Sequence, residues 1–201
     1  DERAILNYTI FSPKENDVAR ECRSLVIDTS NPNKNRIVAR SFKRFFNYGE
    51  TNHPFDWNTC SAQVKEDGSL ITIYYDNFRW RLVTKSTFGE MEFYNGKSWN
   101  DFVFSMIDTS RLDKNFSYVF ELCTPYNQIV QMYTTPRLYF LSRFNLRDYT
   151  EAEYYYIFSD DVRSIEIPDI PHPISIDSVK DFIYNRAQWD ARFEGVVLKD
   201  A

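Results

Sequence analysis

The sequence predicts an α+β fold assembled from antiparallel sheets. Short runs rich in β-branched and aromatic residues dominate the 201-residue chain, turn residues separate several adjacent runs, and only two segments carry helical patterning. Hydrophobic residues make up 43% of the chain, with only 5 Gly and 8 Pro. This composition is typical of a folded globule, and the length suffices for one sizeable core.

Two hairpins are predicted in the first half of the chain. Residues 25–28 and 36–40 are apolar runs on either side of a turn-rich stretch. Residues 70–75 and 80–84 flank a short polar turn in the same way. Each pair of runs should therefore form two neighbouring antiparallel strands.

The second half of the chain adds strands and helices. Three further strands are predicted at residues 118–122, 138–144 and 193–198. Helices are predicted over residues 100–106 and 176–186, and Asp177 or Ser178 is placed to cap the second helix. The helices should therefore flank the sheets rather than alternate with them.

The charge balance provides no general attraction to nucleic acid. The formal net charge is -5 and the isoelectric point is about 5.2, so a polyanion would need a local basic surface. Residues 31–47 contain no acid and five cations, which are Lys34, Arg36, Arg40, Lys43 and Arg44. A solvated hairpin edge is the simpler interpretation on composition alone, and a polyanion-binding surface stays an alternative.

The cysteines and histidines argue against several classes of site. Three cysteines and two histidines, without paired spacing, predict neither a disulfide framework nor a zinc site nor a Cys/His catalytic pair. Reduced thiols in an intracellular compartment are expected. No segment approaches the roughly 18–20 continuous apolar residues of a membrane span, and the first residues do not form a signal peptide. The sequence predicts a cytoplasmic protein without a membrane partner.

The most informative segment is the hexapeptide KEDGSL at residues 65–70, just before an apolar run. Lys65 can act as a nucleophile only when its amine is neutral, and a partly buried, electropositive site lowers the pKa of a lysine. Gly68 lets backbone approach a ligand closely because it has no Cβ. K-x-D-G is the pattern of nucleotidyltransferases, the ligases and capping enzymes that carry a nucleoside monophosphate on lysine. A solvated lysine beside a turn glycine would give the same letters, so the pattern needs support from elsewhere.

Four further segments provide that support through their order and spacing. Upstream lie RECRSLV at residues 20–26 and RSFKRFFN at residues 40–47, and downstream lie FE at 120–121 and EGVV at 194–197. Together with KEDGSL, this set resembles the RNA ligase 1 family of T-even phages over nearly the whole chain. The resemblance implies a nucleotidyltransferase (adenylation) domain of ligase type, with antiparallel sheets and flanking helices.

The resemblance also implies an ATP-dependent RNA ligase with a lysine–AMP intermediate. Lys65 would carry the AMP, which then passes to an RNA 5′-phosphate before a 3′-OH seals the strand; tRNA is among the implied substrates. Arg23 would engage the nucleotide phosphate and ribose, because a guanidinium offers fixed bidentate donors. Glu121 would bond the ribose hydroxyls, and Glu121 and Glu194 would help to hold Mg²⁺ or Mn²⁺. Lys85 would lie near the phosphates.

The resemblance assigns further residues to the nucleotide site. These are Tyr8, Phe46, Glu66, Gly68 and Val196, together with Lys43 and Arg44, of which one replaces a family lysine. An aromatic ring usually covers one face of the adenine, and Tyr139 and Phe140 are candidates in addition to Phe46.

Besides Arg44, which stands where the family usually has lysine, the chain departs from the family pattern at two further places. Ser24 stands where the family usually has glycine, and the K-x-K element expected after Glu194 is not reached by residue 201. Residues 1–201 are therefore predicted to be an adenylation domain truncated before that element and lacking a C-terminal domain. A monomer is expected, located in the cytoplasm or, if the protein is viral, in the host-cell cytoplasm.

Alternative functions stay open. The acidic isoelectric point and the missing K-x-K element favour a non-catalytic nucleotide- or RNA-binding module. A DNA ligase or a GTP-using capping enzyme would share the lysine chemistry, although Arg23 and the Phe-Phe-Asn block favour an RNA ligase. The order of the motifs argues against a purely structural domain.

Overall fold

The computed structural model describes residues 2–31, 33–52, 54–152 and 161–200. The strands are β1 (Arg3–Leu6), β2 (Leu25–Asp28), β3 (Arg36–Ala39), β4 (Ser61–Val64), β5 (Ser69–Asp76), β6 (Arg79–Thr84), β7 (Glu92–Tyr94), β8 (Lys97–Ser98), β9 (Phe116–Cys123), β10 (Arg137–Asn145), β11 (Glu151–Ala152), β12 (Val162–Ser164) and β13 (Val196–Lys199). The helices are α1 (Asp17–Glu21), α2 (Trp99–Phe104) and α3 (Ile176–Ala187), with a 3₁₀ turn at Thr109–Arg111. The predicted α+β class is confirmed.

Antiparallel pairing organises the sheets, as the sequence predicted. The largest sheet has the order β11–β10–β9–β5–β6, and β12 joins it by parallel pairing with β10. A three-stranded sheet has the order β1–β2–β3, while β4 pairs with β13 and β7 pairs with β8. Strands from distant parts of the chain therefore meet, which brings the sequence motifs together.

Both predicted hairpins are confirmed as β2–β3 and β5–β6. The turn between β5 and β6 is made by Asn77 and Phe78, whose φ angles of 48° and 63° lie in the left-handed region. The two-residue connection with positive φ at both positions matches the right-handed twist of the flanking strands.

The main core covers one face of the largest sheet. Ile71 and Ile73 of β5 and Phe120 and Leu122 of β9 are fully buried there, and α2 packs against them through Val103. Burial of each large apolar side chain stabilises the fold by about 1.5–3 kcal/mol. Because successive strand residues point to opposite faces, the intervening residues of β5 and β9 face the other side of the sheet.

A second apolar cluster joins α3 to the β4–β13 pair. Val179 of α3 packs with Ala62 of β4 and with Leu198 of β13. The N-cap of α3 is Ser175, so the predicted capping by Asp177 or Ser178 is wrong, although Ser178 completes a capping box with Ser175.

Strand β13 starts later than predicted. The sequence placed a strand over residues 193–198, but the Phe193 N–H bonds the Asp190 carbonyl in a turn and the strand begins at Val196. Among the described residues, no helix is both long and apolar enough to cross a membrane.

Candidate active site

A cleft of about 730 Å³ opens beside the KEDGSL segment. It lies on the face of the largest sheet opposite the main core, and β13, the end of β6 and the segment after β3 complete its walls. Predicted site residues that line it are Arg23, Lys65, Glu66, Gly68, Lys85, Glu121 and Glu194. This volume falls in the range of ordinary small-molecule sites.

Lys65 follows the last residue of β4 and projects into the cleft. The pairing of β4 with β13 sets its position, because the Lys65 N–H donates to the Gly195 carbonyl at 2.9 Å. Its Nζ forms an ion pair with the Glu194 carboxylate, and the Lys65 side chain is 47% exposed. The predicted nucleophile and the predicted metal-binding acid are thus direct neighbours.

Gly68 is required by strand packing. A Cβ at this position would overlap the carbonyl oxygen of Leu122 and lie 3.0 Å from the Cys123 Sγ. Only a residue without a side chain therefore lets the start of β5 run this close to β9. From the sequence we expected Gly68 to let the backbone approach a ligand, and we did not foresee this packing requirement. Gly68 also lines the cleft.

Glu121 lies at the centre of the cleft-facing side of the sheet. It is opposite Leu70 of β5 and Tyr139 of β10 in the strand registers. Burial raises the pKa of Glu121 to about 8, although Arg23 and Lys65 favour its carboxylate form. A carboxyl group this poorly solvated requires a partner when it ionises.

Arg23 faces Glu121 across the cleft. Its guanidinium lies 4.4 Å from the centroid of the Phe45 ring and donates to the Lys43 carbonyl at 3.4 Å. Burial lowers the pKa of Arg23, and the nearby Glu121 acts in the opposite direction. The guanidinium is thus held by an aromatic face and a carbonyl, and its charge faces the cleft.

Ser24 occupies a backbone conformation that favours glycine. Its φ is 56°, it is 1% exposed, and its Oγ has no hydrogen-bond partner in the described part of the chain. This explains in physical terms why glycine is expected after the arginine: the left-handed conformation strains any residue with a Cβ.

We call the four cations Arg23, Lys43, Arg44 and Lys85 the basic rim. Arg44 is packed between two rings, 4.5 Å from the Tyr8 centroid and 5.1 Å from the Phe46 centroid. The Nζ of Lys85 lies 5.8 Å from the centroid of the same Tyr8 ring. Arg23, Arg44 and Lys85 thus contact aromatic faces, which leaves their charge available, whereas Lys43 has a different partner.

Lys43 and Arg44 differ in their surroundings. Lys43 forms an ion pair with Glu21 at 3.1 Å and is 56% exposed. Arg44 has no ion pair with an acid in the described ranges, and its Nη1 donates to the Ser12 carbonyl at 3.3 Å. The surroundings of Arg44 therefore suit the role of the family lysine better than the surroundings of Lys43 do. Neither side chain lines the cleft itself.

The apolar lining differs from the predicted aromatic one. Phe140 belongs to the main core and faces away from the cleft, whereas Leu141 lines it. Phe46 packs under Arg44, and Phe45 lines the cleft instead. These positions follow from strand alternation and packing, which the letters FF and YF do not reveal.

The prediction for Val196 is displaced by one residue. Val196 packs with the α3 cluster, and Val197 lines the cleft, because neighbouring residues of β13 face opposite sides. Tyr139 lies beside Glu121 in the register of β9 and β10. Burial is the main cause that raises the pKa of Tyr139 to about 12.

Sequence reasoning missed several residues of the site. Trp99, Ile129 and Lys199 line the cleft, and Asp67 lies beneath it with 3% exposure. Lys199 follows Val197 by two residues, so period-two alternation along β13 could have identified it. Trp99 and Ile129 carried no sequence signal, because only the tertiary fold brings them to the cleft.

Glu121 and Glu194 are the candidate metal ligands in the cleft. Among residues 2–31, 33–52, 54–152 and 161–200, no group of three or more His, Cys, Asp or Glu side chains is arranged to hold a metal ion. Two carboxylates nevertheless fit Mg²⁺, which usually takes one or two protein carboxylates and completes its shell with water and substrate phosphates.

Comparison with known proteins identifies the family. The model of the T4-type RNA ligase family matches residues 21–201. The chain belongs to the T4 RNA ligase 1 family. The predicted resemblance is therefore confirmed, and membership supports RNA ligase function.

Relatives of this RNA ligase family member include a viral protein and two solved structures. A proposed bifunctional polynucleotide kinase/RNA ligase of Autographa californica nuclear polyhedrosis virus is 28% identical over 98% of the chain, which spans 30% of that relative. A Naegleria gruberi RNA ligase mutant with ATP and Mn shares 12% identity, with a TM-score of 0.37 over 71% of this chain and 36% of that one. A second mutant of the same ligase, without ligand, shares 9% identity, with a TM-score of 0.35 over 71% of this chain and 37% of that one. These TM-scores carry no argument about the site.

Proposed function

We propose that this RNA ligase family member uses ATP and forms a lysine–AMP intermediate on Lys65. The observation that carries the proposal is the convergence of Lys65, Arg23, Lys85, Glu121 and Glu194 on one cleft. These residues come from five separate segments of the sequence. Ion pairs that serve only stability do not require a half-exposed lysine in a cavity of nucleotide size.

In the first step, the neutral Nζ of Lys65 attacks the α-phosphorus of ATP. A nitrogen–phosphorus bond forms while the bond from this phosphorus to the bridging oxygen breaks, and its electron pair leaves with pyrophosphate. The amine releases one proton to solvent, and AMP remains on the lysine as a phosphoramidate. The ion pair of Lys65 with Glu194 has to open before Nζ can reach the phosphorus.

The next two steps move AMP and seal the strand. An oxygen of the RNA 5′-phosphate attacks the AMP phosphorus, the nitrogen–phosphorus bond breaks, and Lys65 takes up a proton as it leaves. The RNA 3′-OH then attacks the activated 5′-phosphorus, gives up its proton and expels AMP. In-line phosphoryl transfer of this kind depends on charge neutralisation and alignment.

The remaining residues supply that neutralisation and alignment. Arg23 and Lys85, which line the cleft, contact the phosphates, and one of Lys43 and Arg44 supplies further positive charge beside it. Glu121 accepts hydrogen bonds from the ribose hydroxyls. Glu121 and Glu194 would hold Mg²⁺ or Mn²⁺, which lowers the charge of the phosphates. Tyr8, Phe46 and Val196 support the site from behind, and Glu66 and Gly68 shape the segment that follows the nucleophile.

The proposal extends to the partners of the protein. The substrates are RNA ends with a 5′-phosphate and a 3′-OH, including those of broken tRNA. Residues 1–201 act as the adenylation domain, as a monomer in the cytoplasm or, for a viral protein, in that of the host cell. The kinship with a viral relative supports the last point.

Labelling of the intact protein tests the proposal. Incubation with Mg²⁺ and ATP labelled at the α-phosphate should give acid-labile labelled protein, and labelled GTP should not. Lys65→Arg should abolish the label, because a guanidinium has no free lone pair to attack phosphorus. Lys180→Arg, the same change at an exposed lysine of α3, should keep it. Label from GTP alone would indicate capping chemistry, and no label from either nucleotide would leave a binding module.

A further inference from the structure

The loop of residues 124–136 contributes one residue, Ile129, to the lining of the cleft. It connects β9 to β10 and contains no charged residue. Ile129, which is 71% exposed, lines the cleft, and Met132 is 64% exposed. Because exposed apolar side chains at its tip contribute little packing, hydrogen bonds have to fix this loop.

The first anchor is the carboxylate of Asp67. Its Oδ2 accepts hydrogen bonds from the N–H groups of Val130 at 2.5 Å and Gln131 at 2.6 Å. Asp67 is 3% exposed, so these bonds compensate for the loss of water around the carboxylate. Hydrogen bonds between a charged acceptor and backbone amides are shorter and stronger than neutral ones.

The second anchor is the hydroxyl of Tyr133. It accepts a hydrogen bond from the Asp67 N–H at 3.1 Å and donates one to the Glu66 Oε2 at 3.2 Å. Burial raises the pKa of this hydroxyl, so it stays protonated and able to donate. One loop residue thus holds the main chain of Asp67 and the side chain of Glu66 together.

The third anchor ties the loop to the start of β5. The Nδ2 of Asn127 donates to the Ser69 Oγ at 2.8 Å and to the Leu122 carbonyl at 3.0 Å. Three of the four residues that follow Lys65 are therefore bonded to loop 124–136. Gly68, the remaining one, packs directly on the strand that leads into the loop.

We infer that loop 124–136 positions the nucleophile, with Tyr133 and Asp67 as positioning residues that fix the segment carrying Lys65. This inference rests on the proposed function, because it concerns the geometry of the same lysine. Lys65 itself is held by its main-chain bond to β13 and by the ion pair of its Nζ with Glu194. Because that ion pair has to open for the reaction, the position of the reacting lysine then depends on the residues that follow it.

The consequence concerns rate rather than affinity. Displacement of a nucleophile by about 1 Å costs up to about 100-fold in rate, whereas binding of a nucleotide by other residues is unaffected. Loss of an anchor should therefore lower the rate constant at saturating ATP and leave the ATP concentration for half-maximal rate unchanged.

Tyr133→Phe in the intact protein tests the inference, because it removes only the hydroxyl. We expect single-turnover labelling by ATP to slow by roughly 10-fold, with the half-saturating ATP concentration within about twofold of the original. Tyr126→Phe is the matched control: the same change on the same loop, at a residue 43% exposed whose ring stacks on Tyr94 at 3.8 Å. It should label at the original rate.

Amide hydrogen exchange of the unaltered protein provides a second measurement that does not depend on the variant folding. The amides of Val130 and Gln131 should be protected although the Val130 residue is 51% exposed. Rapid exchange at both amides, or an unchanged rate in folded Tyr133→Phe, would overturn the inference. Absence of label from the unaltered protein would instead reject the proposed function, so the two failures are distinguishable.

Discussion

The basic rim and loop 124–136 both contribute residues to the cleft and are built in opposite ways. The basic rim carries four cations, of which Lys43 pairs with Glu21 and the other three contact ring faces, as Arg23 does with Phe45. Loop 124–136 carries no charge, and a buried carboxylate, that of Asp67, holds its backbone amides. The basic rim keeps most of its charge available, while the loop is an uncharged segment fixed by a buried charge.

This difference gives the cleft a direction. Under the proposed function a nucleotide is an anion at its phosphates, so its phosphates are drawn to the basic rim. Lys65 lines the same cleft, which is where the proposed function requires the nucleophile. The contrast between the two sides thus supports the proposed chemistry.

The largest expected effect is on the pH dependence of stability, and it concerns Glu121, which lines the cleft. Its pKa of about 8 exceeds the unfolded value of about 4.3, so the folded state retains the proton longer and stability falls as pH rises between these values. Glu121→Gln removes the ionisation. We expect it to flatten the stability curve between pH 5 and 8 by up to about 1.4 kcal/mol per pH unit.

Urea unfolding at several pH values, without nucleotide, measures this change. The variant should lose most of the fall in stability that the unaltered protein shows toward pH 8. Equal slopes for the two proteins would mean that Glu121 is ionised in the folded state, and that the basic rim already neutralises it.

The next largest effect concerns ligand binding, and it distinguishes the charged basic rim from the uncharged loop 124–136. Arg44→Ala should weaken ATP binding by roughly 10-fold and flatten the salt dependence of RNA binding, because a lost phosphate contact releases fewer counterions. Lys43→Ala should change ATP binding less, since Glu21 already pairs with Lys43 at 3.1 Å. Ile129→Ala is expected to leave the salt slope unchanged.

Titrations with ATP and with 5′-phosphorylated RNA at several salt concentrations distinguish these cases. If Ile129→Ala flattened the slope as much as Arg44→Ala does, the assignment of charge to one side would fail. If neither Arg44→Ala nor Lys43→Ala affected either ligand, the basic segment would be an ordinary solvated edge.

The smallest effect concerns the backbone beneath the basic rim. Ser24→Gly should stabilise the protein by about 1 kcal/mol, because glycine relieves the left-handed strain at φ 56° and removes a buried hydroxyl without a described partner. Thermal unfolding should show a rise of about 2–4 °C for a chain of this size. Ser24→Ala removes only the hydroxyl and should give less than this. A lower melting temperature for Ser24→Gly would indicate that the serine side chain stabilises the fold.

Local sequence signals predicted most of the large secondary-structure elements but few of the small ones. The β5–β6 hairpin was predictable because alternating apolar residues flank a two-residue turn. Strands β1 and β4 were missed because four-residue strands of mixed polarity have no periodicity of their own. Strand β1 is defined only by its pairing with β2, and β4 only by its pairing with β13.

The candidate site shows the same division. Lys65, Arg23 and Glu121 could be located because each lies in a motif with a fixed order along the chain. The exchange of Val196 for Val197 could not be foreseen, since a shift of one residue along a strand reverses the face. The exchange of Phe46 for Phe45 could not be foreseen because these residues lie outside any strand, and only packing decides which ring lines the cleft. Tyr133 had no motif at all, because its role exists only where loop 124–136 meets the KEDGSL segment.

The most direct test of the account is the site of the covalent adduct. The intact protein would be incubated with ATP and Mg²⁺, digested at a pH that preserves phosphoramidates, and its peptides analysed by mass spectrometry. The account predicts one added adenylyl group, located on Lys65 and absent from the peptides that contain Lys85 and Lys199. An adenylyl group on either of those two lysines, with Lys65 unmodified, would contradict it.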